Sequence, residues 1–267
     1  MGFKIIIVLI LTFIINIVAT LAYSVRIVGV KTGRIAVASA VFSILTLVSR
    51  TANSFQAPIL GKKVEMSIKY GQSGQLIYLF RWILLVSTLA TIFGALLIPT
   101  FIKLFTRAVE SFSMYRSIPK LMLHAFSKSG IEQFKRNITV PNKQSISHIK
   151  NFKKIPKKIV LLNTIACSLL TVGVLASTYA GCLSPDIRYT CGTLSSIING
   201  VATIAMAIFV DPYLSIMTDD VIRGECSEEE FKRCTFFIIG GFIVGTIFAQ
   251  ILLVPAAKVI SFVAQLL

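Results

Sequence analysis

Charged side chains are scarce in this chain. Asp, Glu, Lys and Arg make up 14% of its 267 residues and hydrophobic residues make up 55%, whereas an average soluble domain has about 25% charged residues. Acidic residues are the rarest, with 11 against 27 Lys and Arg. This composition excludes an ordinary soluble domain and predicts an all-α polytopic membrane protein, because a helix satisfies its own backbone hydrogen bonds in lipid.

Sequence signatures of nucleotide use and of catalysis are also missing. The chain has no Walker A motif, no Gly-x-Ser-x-Gly, no His-Glu-x-x-His and no dinucleotide fingerprint. Its two histidines and five cysteines lack the spacing of a metal site. We therefore predict a protein that is not an enzyme, is not driven by ATP, and has no cofactor or bound metal.

Apolar segments are what the chain has in abundance. A helix needs about 20 apolar residues to cross a bilayer, and the chain has six candidates. The second is the weakest, because Arg34 and Arg50 bracket it. We predict a single membrane domain over residues 1–267 with six transmembrane helices. Their apolar segments are 5–22, 35–49, 82–102, 159–180, 193–210 and 235–254.

Positive charge is concentrated between the third and fourth segments. Residues 103–158 contain thirteen Lys and Arg against two Glu. Short basic loops stay in the cytoplasm, so both termini are predicted outside. Apolar residues at helical spacing within 118–126 predict an amphipathic helix, lying either on the membrane surface or on the cytoplasmic end of the bundle. We expect this charge to contact anionic membrane lipids rather than nucleic acid, since it adjoins membrane spans.

The predicted topology places two short loops on each side of the membrane. Three Lys in one outer loop are unusual there, so this loop either breaks the charge rule or enters the membrane as part of a site. Cys182 and Cys191 bracket the other outer loop and could form a disulfide. The loops are 23–34 and 211–234 inside, and 51–75 and 181–192 outside.

Three helices precede the basic loop and three follow it, so the two halves have opposite orientations. This arrangement is typical of transporters with a 3+3 inverted repeat. Pro58 and Pro212 each follow the second apolar segment of their half. Gly241 and Gly245 form a Gly-x-x-x-Gly motif, which allows close helix contact within the chain or in a homodimer.

Arginines at or inside the apolar segments are the main candidates for a site, because a charge in lipid costs about 2.5 kcal/mol or more. Arg50 is followed by polar residues that could line a wet cavity on a continuing helix. The others could instead orient the chain or extend to the membrane interface. Arginine binds phosphate and pyrophosphate through paired N–H groups. The predicted substrate-binding residues are Arg26, Arg34, Arg50, Asn53, Gln56 and Arg81.

Acidic residues cluster after the fifth apolar segment. Asp219 and Asp220 could pair with Arg26 or Arg34 as a gate, or could carry a cation or protons. Ser227 and the three Glu that follow it predict a helix N-terminus with a capping residue. The predicted gating or ion-coupling residues are Asp211, Asp219 and Asp220.

Several stretches of the chain resemble the Amj family of alternate lipid II flippases in Bacillus-type bacteria. They are residues 19–26, 29–34, 49–62 and 211–220. The resemblance implies that lipid II, an undecaprenyl-pyrophosphate-linked disaccharide-pentapeptide, is moved from the inner to the outer leaflet of the plasma membrane for peptidoglycan synthesis. The site residues above come from the chain itself, since the resemblance supplies no catalytic set.

Two other classes of function remain open on the residues alone. A membrane enzyme acting on a polyprenyl pyrophosphate, such as a phosphatase, would generate a chemical product. A membrane scaffold that recruits cell-envelope partners through the basic loop would tolerate a neutral residue at Arg50 and would fail without the loop.

Overall fold

The computed structural model describes residues 3–71, 73–115 and 156–267, and the predicted amphipathic helix within 118–126 lies outside them. No strand is present in the described residues, and six helical spans are long and apolar enough to cross a membrane. The all-α prediction and the helix count are therefore confirmed. The helices are α1 (Phe3–Thr32), α2 (Ile35–Lys69), α3 (Leu76–Tyr115), α4 (Lys157–Leu183), α5 (Arg188–Ala205), α6 (Asp211–Arg223) and α7 (Glu228–Leu266). The π-helical turn Met206–Val210 joins α5 and α6 into one span, so the seven helices form six spans.

The helices extend well beyond the apolar segments that predicted them. Most of 23–34, 51–75 and 211–234 is helical rather than loop, and only a short turn, Pro185–Ile187, separates α4 from α5. α3 also continues to Tyr115, which makes the first part of the predicted basic loop helical. Hydropathy identifies only the part of a helix that lies inside lipid. Backbone hydrogen bonds allow the same helix to continue beyond the lipid into the polar region.

Short turns with defined backbone geometry connect these long helices. Gly33 has φ 67° between α1 and α2, and Gly224 has φ 77° after α6, a left-handed conformation that favours glycine. Ser227 caps α7 as predicted: its hydroxyl accepts from the Glu230 N–H, and the Glu230 carboxylate accepts from the Ser227 N–H.

The two halves of the chain share one packing pattern. In the first half α1 packs extensively on both α2 and α3, which contact each other little. In the second half α4 packs on both α5 and α7, which also contact each other little. This likeness favours the predicted 3+3 repeat, which stays a prediction. The halves meet mainly where α7 contacts α3 and α1, and where α2 contacts α4.

The Gly-x-x-x-Gly motif of α7 is used inside the chain. A Cβ at Gly245 would lie 2.8 Å from the backbone oxygen of Thr164 in α4, and one at Gly241 would lie 2.8 Å from the Thr164 hydroxyl. This contact explains how α7 and α4 approach so closely. A homodimer therefore stays a prediction that this motif does not support. Cys182 and Cys191 are both free thiols, so the predicted disulfide is absent.

Candidate functional site

A cavity of about 120 Å³ with both polar and apolar walls lies between the two halves of the chain. Its walls come from α1, α2 and α3 in the first half and from α4 and α7 in the second. Apolar clusters lie toward both ends of the bundle, around Phe80 and Leu253 on one side and around Ile98 and Ile238 on the other. We call this space the central cavity.

The polar wall of the central cavity comes largely from α2. Ser49, Arg50, Asn53 and Gln56 all line it. Their spacing of three or four residues places them on neighbouring parts of one helix face. Three of the six predicted substrate-binding residues (Arg50, Asn53 and Gln56) are therefore brought together here.

Arg50 is the cation of this cavity. By the rise of 1.5 Å per residue, it lies about 22 Å from the start of α2 and about 28 Å from its end. Its side chain is half-buried. Among residues 3–71, 73–115 and 156–267, no carboxylate forms an ion pair with its guanidinium. An uncompensated arginine at this depth is typical of a site for an anion.

Hydrogen bonds fix the other polar side chains around Arg50. Gln56 Nε2 donates to Thr12 Oγ1 over 3.1 Å, and Ser87 Oγ donates to Asn16 Oδ1 over 2.9 Å. Ser49 Oγ donates to the backbone oxygen of Ile15 over 3.1 Å. These bonds join α1 to α2 and α3, so the first half holds the polar wall in place before any ligand arrives.

A second, smaller cavity of about 60 Å³ lies toward the end of the bundle predicted to face the cytoplasm. It is lined by residues of α1, α2 and α6, including Arg26, Ser39, Thr218 and Asp219. We call it the inner cavity. It also lies between the two halves of the chain, but the arginine that lines it, Arg26, has an ion-pair partner.

Arg26 forms an ion pair with Asp211 across the two halves. Its Nη2 lies 2.7 Å from Asp211 Oδ1, and the side chains are 12% and 36% exposed. The guanidinium carbon also lies 4.2 Å from the centre of the Phe42 ring, a cation–π contact. The sequence analysis left open a pairing of Asp219 and Asp220 with Arg26 or Arg34; the partner of Arg26 is Asp211 instead.

A local irregularity in the helix positions Asp211. The turn Met206–Val210 is π-helical, and the Asp211 N–H donates to the Met206 oxygen five residues back. Pro212 follows at the first turn of α6 and has no N–H to donate. Such π-helical turns often occur at functional sites because they rotate the residues that follow. No feature of hydropathy or spacing signals this rotation.

The remaining predicted residues lie apart from the central cavity. Arg34 Nη1 donates to the backbone oxygen of Val109 over 3.1 Å, which fixes the α1–α2 turn to α3. Arg81 is exposed near the start of α3, beside the exposed rings of Tyr78 and Trp82. Aromatic residues of this kind mark a membrane interface. Asp219 borders the inner cavity, and Asp220 does not line either cavity.

The sequence analysis missed the contribution of α1. Thr12, Asn16 and Thr20 follow one another at intervals of four residues, and their side chains bond to backbone oxygens one turn earlier. The signal was available as polar residues at helical spacing within an apolar segment. Averaged hydropathy conceals it, because apolar residues flank each of them.

Comparisons with known proteins match nearly the whole chain. A family model named Amj, with the description "Alternate to MurJ", matches residues 11–264. The protein Lipid II flippase Amj of Bacillus subtilis (strain 168) is 34% identical over 257 residues, covering 94% of this chain and 93% of that protein. No solved structure shows a significant match.

Proposed function

This chain belongs to the Amj family, and on that basis we propose that it is a lipid II flippase of the bacterial plasma membrane. Lipid II, an undecaprenyl-pyrophosphate-linked disaccharide-pentapeptide, is its substrate and passes from the inner to the outer leaflet to supply peptidoglycan synthesis. The protein is a transporter, not an enzyme, because the lipid crosses without any bond being formed or broken. The B. subtilis relative, whose name states this activity, supports the proposal.

Arg50 in the central cavity is the observation that best connects this structure with that activity. A pyrophosphate cannot enter hydrocarbon without its charge being neutralised. Arg50 offers a fork of N–H donors that fits a pyrophosphate and has no carboxylate partner among the described residues. Asn53 and Gln56 beside it offer amide groups to the sugar or peptide.

The remaining predicted residues have supporting roles in the proposal. Arg26 receives pyrophosphate only after it releases Asp211, so the pair acts first as a closed contact between the halves. Arg34 and Arg81 attract the anionic headgroup at the two membrane surfaces. Asp219, which borders the inner cavity, and Asp220 are the candidates for ion coupling.

The size of the central cavity indicates that the structure is a closed state. Its 120 Å³ is well below the roughly 300–1,000 Å³ of pockets for drug-sized ligands, and the lipid II headgroup is larger than those. The halves must separate for the headgroup to pass. Separation along α2 disrupts few contacts, since α2 packs mainly on α1 within its own half.

The decisive experiment measures lipid II in the outer leaflet of cells whose sole candidate flippase is this protein. An externally added enzyme that cleaves only outer-leaflet lipid II gives the readout, before and after depletion. We expect cleavage to collapse while intact lipid II accumulates. Unchanged cleavage would contradict the proposal, and a chemically altered lipid made only when the protein is present would favour an enzyme.

A further inference from the structure

One side of α2 has a stripe of small and polar side chains, three of which line cavities bordered by the second half. These residues recur at steps of three and four, which keeps them on one side of a helix. The stripe consists of Ser39, Ser43, Thr46, Arg50, Asn53 and Ala57, and Gly61 continues it. From Ser39 to Gly61 it extends about 33 Å, close to the roughly 30 Å thickness of a bilayer's hydrocarbon core.

Both cavities open onto this stripe. Ser39 lines the inner cavity opposite Ser215 and Thr218 of α6. Arg50 and Asn53 line the central cavity opposite α4. They lie about one and two helical turns beyond Thr46 along α2. The stripe therefore connects the two cavities that separate the halves.

Three hydroxyl groups along the stripe have no partner among the residues that the structure describes. Ser39 and Ser43 are exposed and Thr46 is half-buried, and their hydroxyls form no hydrogen bond with the described part of the chain. Elsewhere on α2 Ser54 bonds to the Arg50 oxygen. An unpartnered hydroxyl is costly in hydrocarbon. Ser43 and Thr46 therefore need a polar neighbour at a depth where lipid supplies none.

Another edge of α2 is apolar, as expected for a surface in contact with lipid. Val48 and Phe55 are 52% and 67% exposed there, about 140° and 120° around the helix from Ser43. The exposed face of α3 is apolar as well, with Leu85, Leu89 and Leu96. The polar edge of α2 is thus a local feature of this helix and not the general character of the lipid-facing surface.

We propose that the stripe on α2 is the track along which the lipid-linked headgroup crosses the membrane. The inference rests on the proposed function. The pyrophosphate moves from the inner cavity to Arg50 and on toward the exposed Lys62 and Lys63 beyond Gly61. The prenyl tail stays in lipid beside Val48 and Phe55. Ser43 and Thr46 become residues of the path, a role that neither the family nor the relative assigns.

The test compares two single cysteines in a variant whose five native cysteines are replaced, after that variant is shown to deliver lipid II. Ser43→Cys lies on the track, and Val48→Cys lies on the apolar edge, about 140° around the helix and about 8 Å further along it. A charged thiol reagent that cannot cross membranes is added from either side. We expect Ser43→Cys to react at least tenfold faster, because a thiol must contact water to form its reactive thiolate.

The outcomes separate the track from the proposed function. Equal rates at the two positions, in a protein that delivers lipid II, would overturn the track and leave the flippase standing. If Ser43→Cys reacted faster but the native chain delivered no lipid II, the proposed function would be overturned. The lipid-linked headgroup would then also be excluded as the occupant of the track. Ser43→Phe provides a second check: it should lower delivery at least tenfold, while Val48→Phe should leave delivery unchanged.

Discussion

Arg50 and Arg26 border neighbouring cavities between the same two halves, but only one of them has a partner. Arg26 is paired with Asp211 and lies against the ring of Phe42. Arg50 lies deeper along its helix, and no carboxylate among the described residues pairs with it. A compensated arginine holds protein elements together, whereas an uncompensated one is available to an anionic ligand.

The contrast extends to the surroundings of the two side chains. Arg50 is surrounded by amides and hydroxyls that are fixed within the first half by hydrogen bonds. The bond of Arg26 instead crosses from α1 to α6 and must break if the halves separate. Changes at Arg50 should therefore affect transport, and changes at the Arg26 pair should affect stability first.

Arg50→Ala should have the largest effect. Loss of its charged hydrogen bonds, about 2–3 kcal/mol, should lower delivery of lipid II to the outer leaflet by about 100-fold. Arg50→Lys should retain part of the activity, because it keeps the charge without the paired donors. The readout is cleavage by the externally added enzyme at matched protein levels.

The control for Arg50→Ala is the thermal midpoint of the purified protein. Removing an uncompensated charge from a membrane span should leave the midpoint unchanged or raise it. Normal delivery by Arg50→Ala at the wild-type protein level would remove Arg50 from the site and favour a scaffold.

Asp211→Leu should show the opposite signature, a loss of stability. It leaves Arg26 charged and largely buried, which costs about 3–5 kcal/mol for a fully buried pair. Because Asp211 is 36% exposed, we expect about 1–3 kcal/mol, measured as a lower thermal midpoint. Adding Arg26→Met should restore most of the midpoint, since the double variant buries no charge. A double variant as unstable as the single one would exclude the ion pair as the cause.

Phe42→Leu should act in the same direction but more weakly. A cation–π contact contributes about 0.5–2 kcal/mol, so the midpoint should fall by a few degrees. In the Arg26→Met background Phe42→Leu should lower the thermal midpoint clearly less, because that variant has no cation at position 26. Equal losses in both backgrounds would show that Phe42 contributes packing alone.

The sequence predicted one of these two arginine environments and missed the other. Arg50, Asn53 and Gln56 were grouped correctly because helical spacing along a single helix brings them together. The partner of Arg26 is 185 positions away, and the π-helical turn before it changes the direction in which Asp211 projects. Spacing along the chain carries no information on either point, so the sequence offered Asp219 and Asp220 as possible partners of Arg26 or Arg34 and did not identify Asp211.

The number of helices was also predictable from the sequence, whereas their lengths were not. Six apolar segments predicted the six spans correctly, because a span needs about 20 apolar residues and no single position decides whether it is present. The ends of the helices were misplaced. The apolar segment 35–49 ends at Arg50, so 51–75 was predicted to be a loop, whereas α2 continues to Lys69. Charges at a helix end are compatible with helix once the chain leaves the hydrocarbon.

Ser227→Ala should have the smallest effect and calibrates the rest of the series. It removes the acceptor for the Glu230 N–H at the start of α7, far along the chain from both arginines, and such a cap contributes about 1 kcal/mol. The thermal midpoint should fall by about 2–4 °C, close to the effect of Phe42→Leu. Delivery of lipid II should not change, because the cap touches neither cavity. If Ser227→Ala lowered delivery as strongly as Arg50→Ala, general loss of stability would explain both, and the distinction between the unpaired and the paired arginine would disappear.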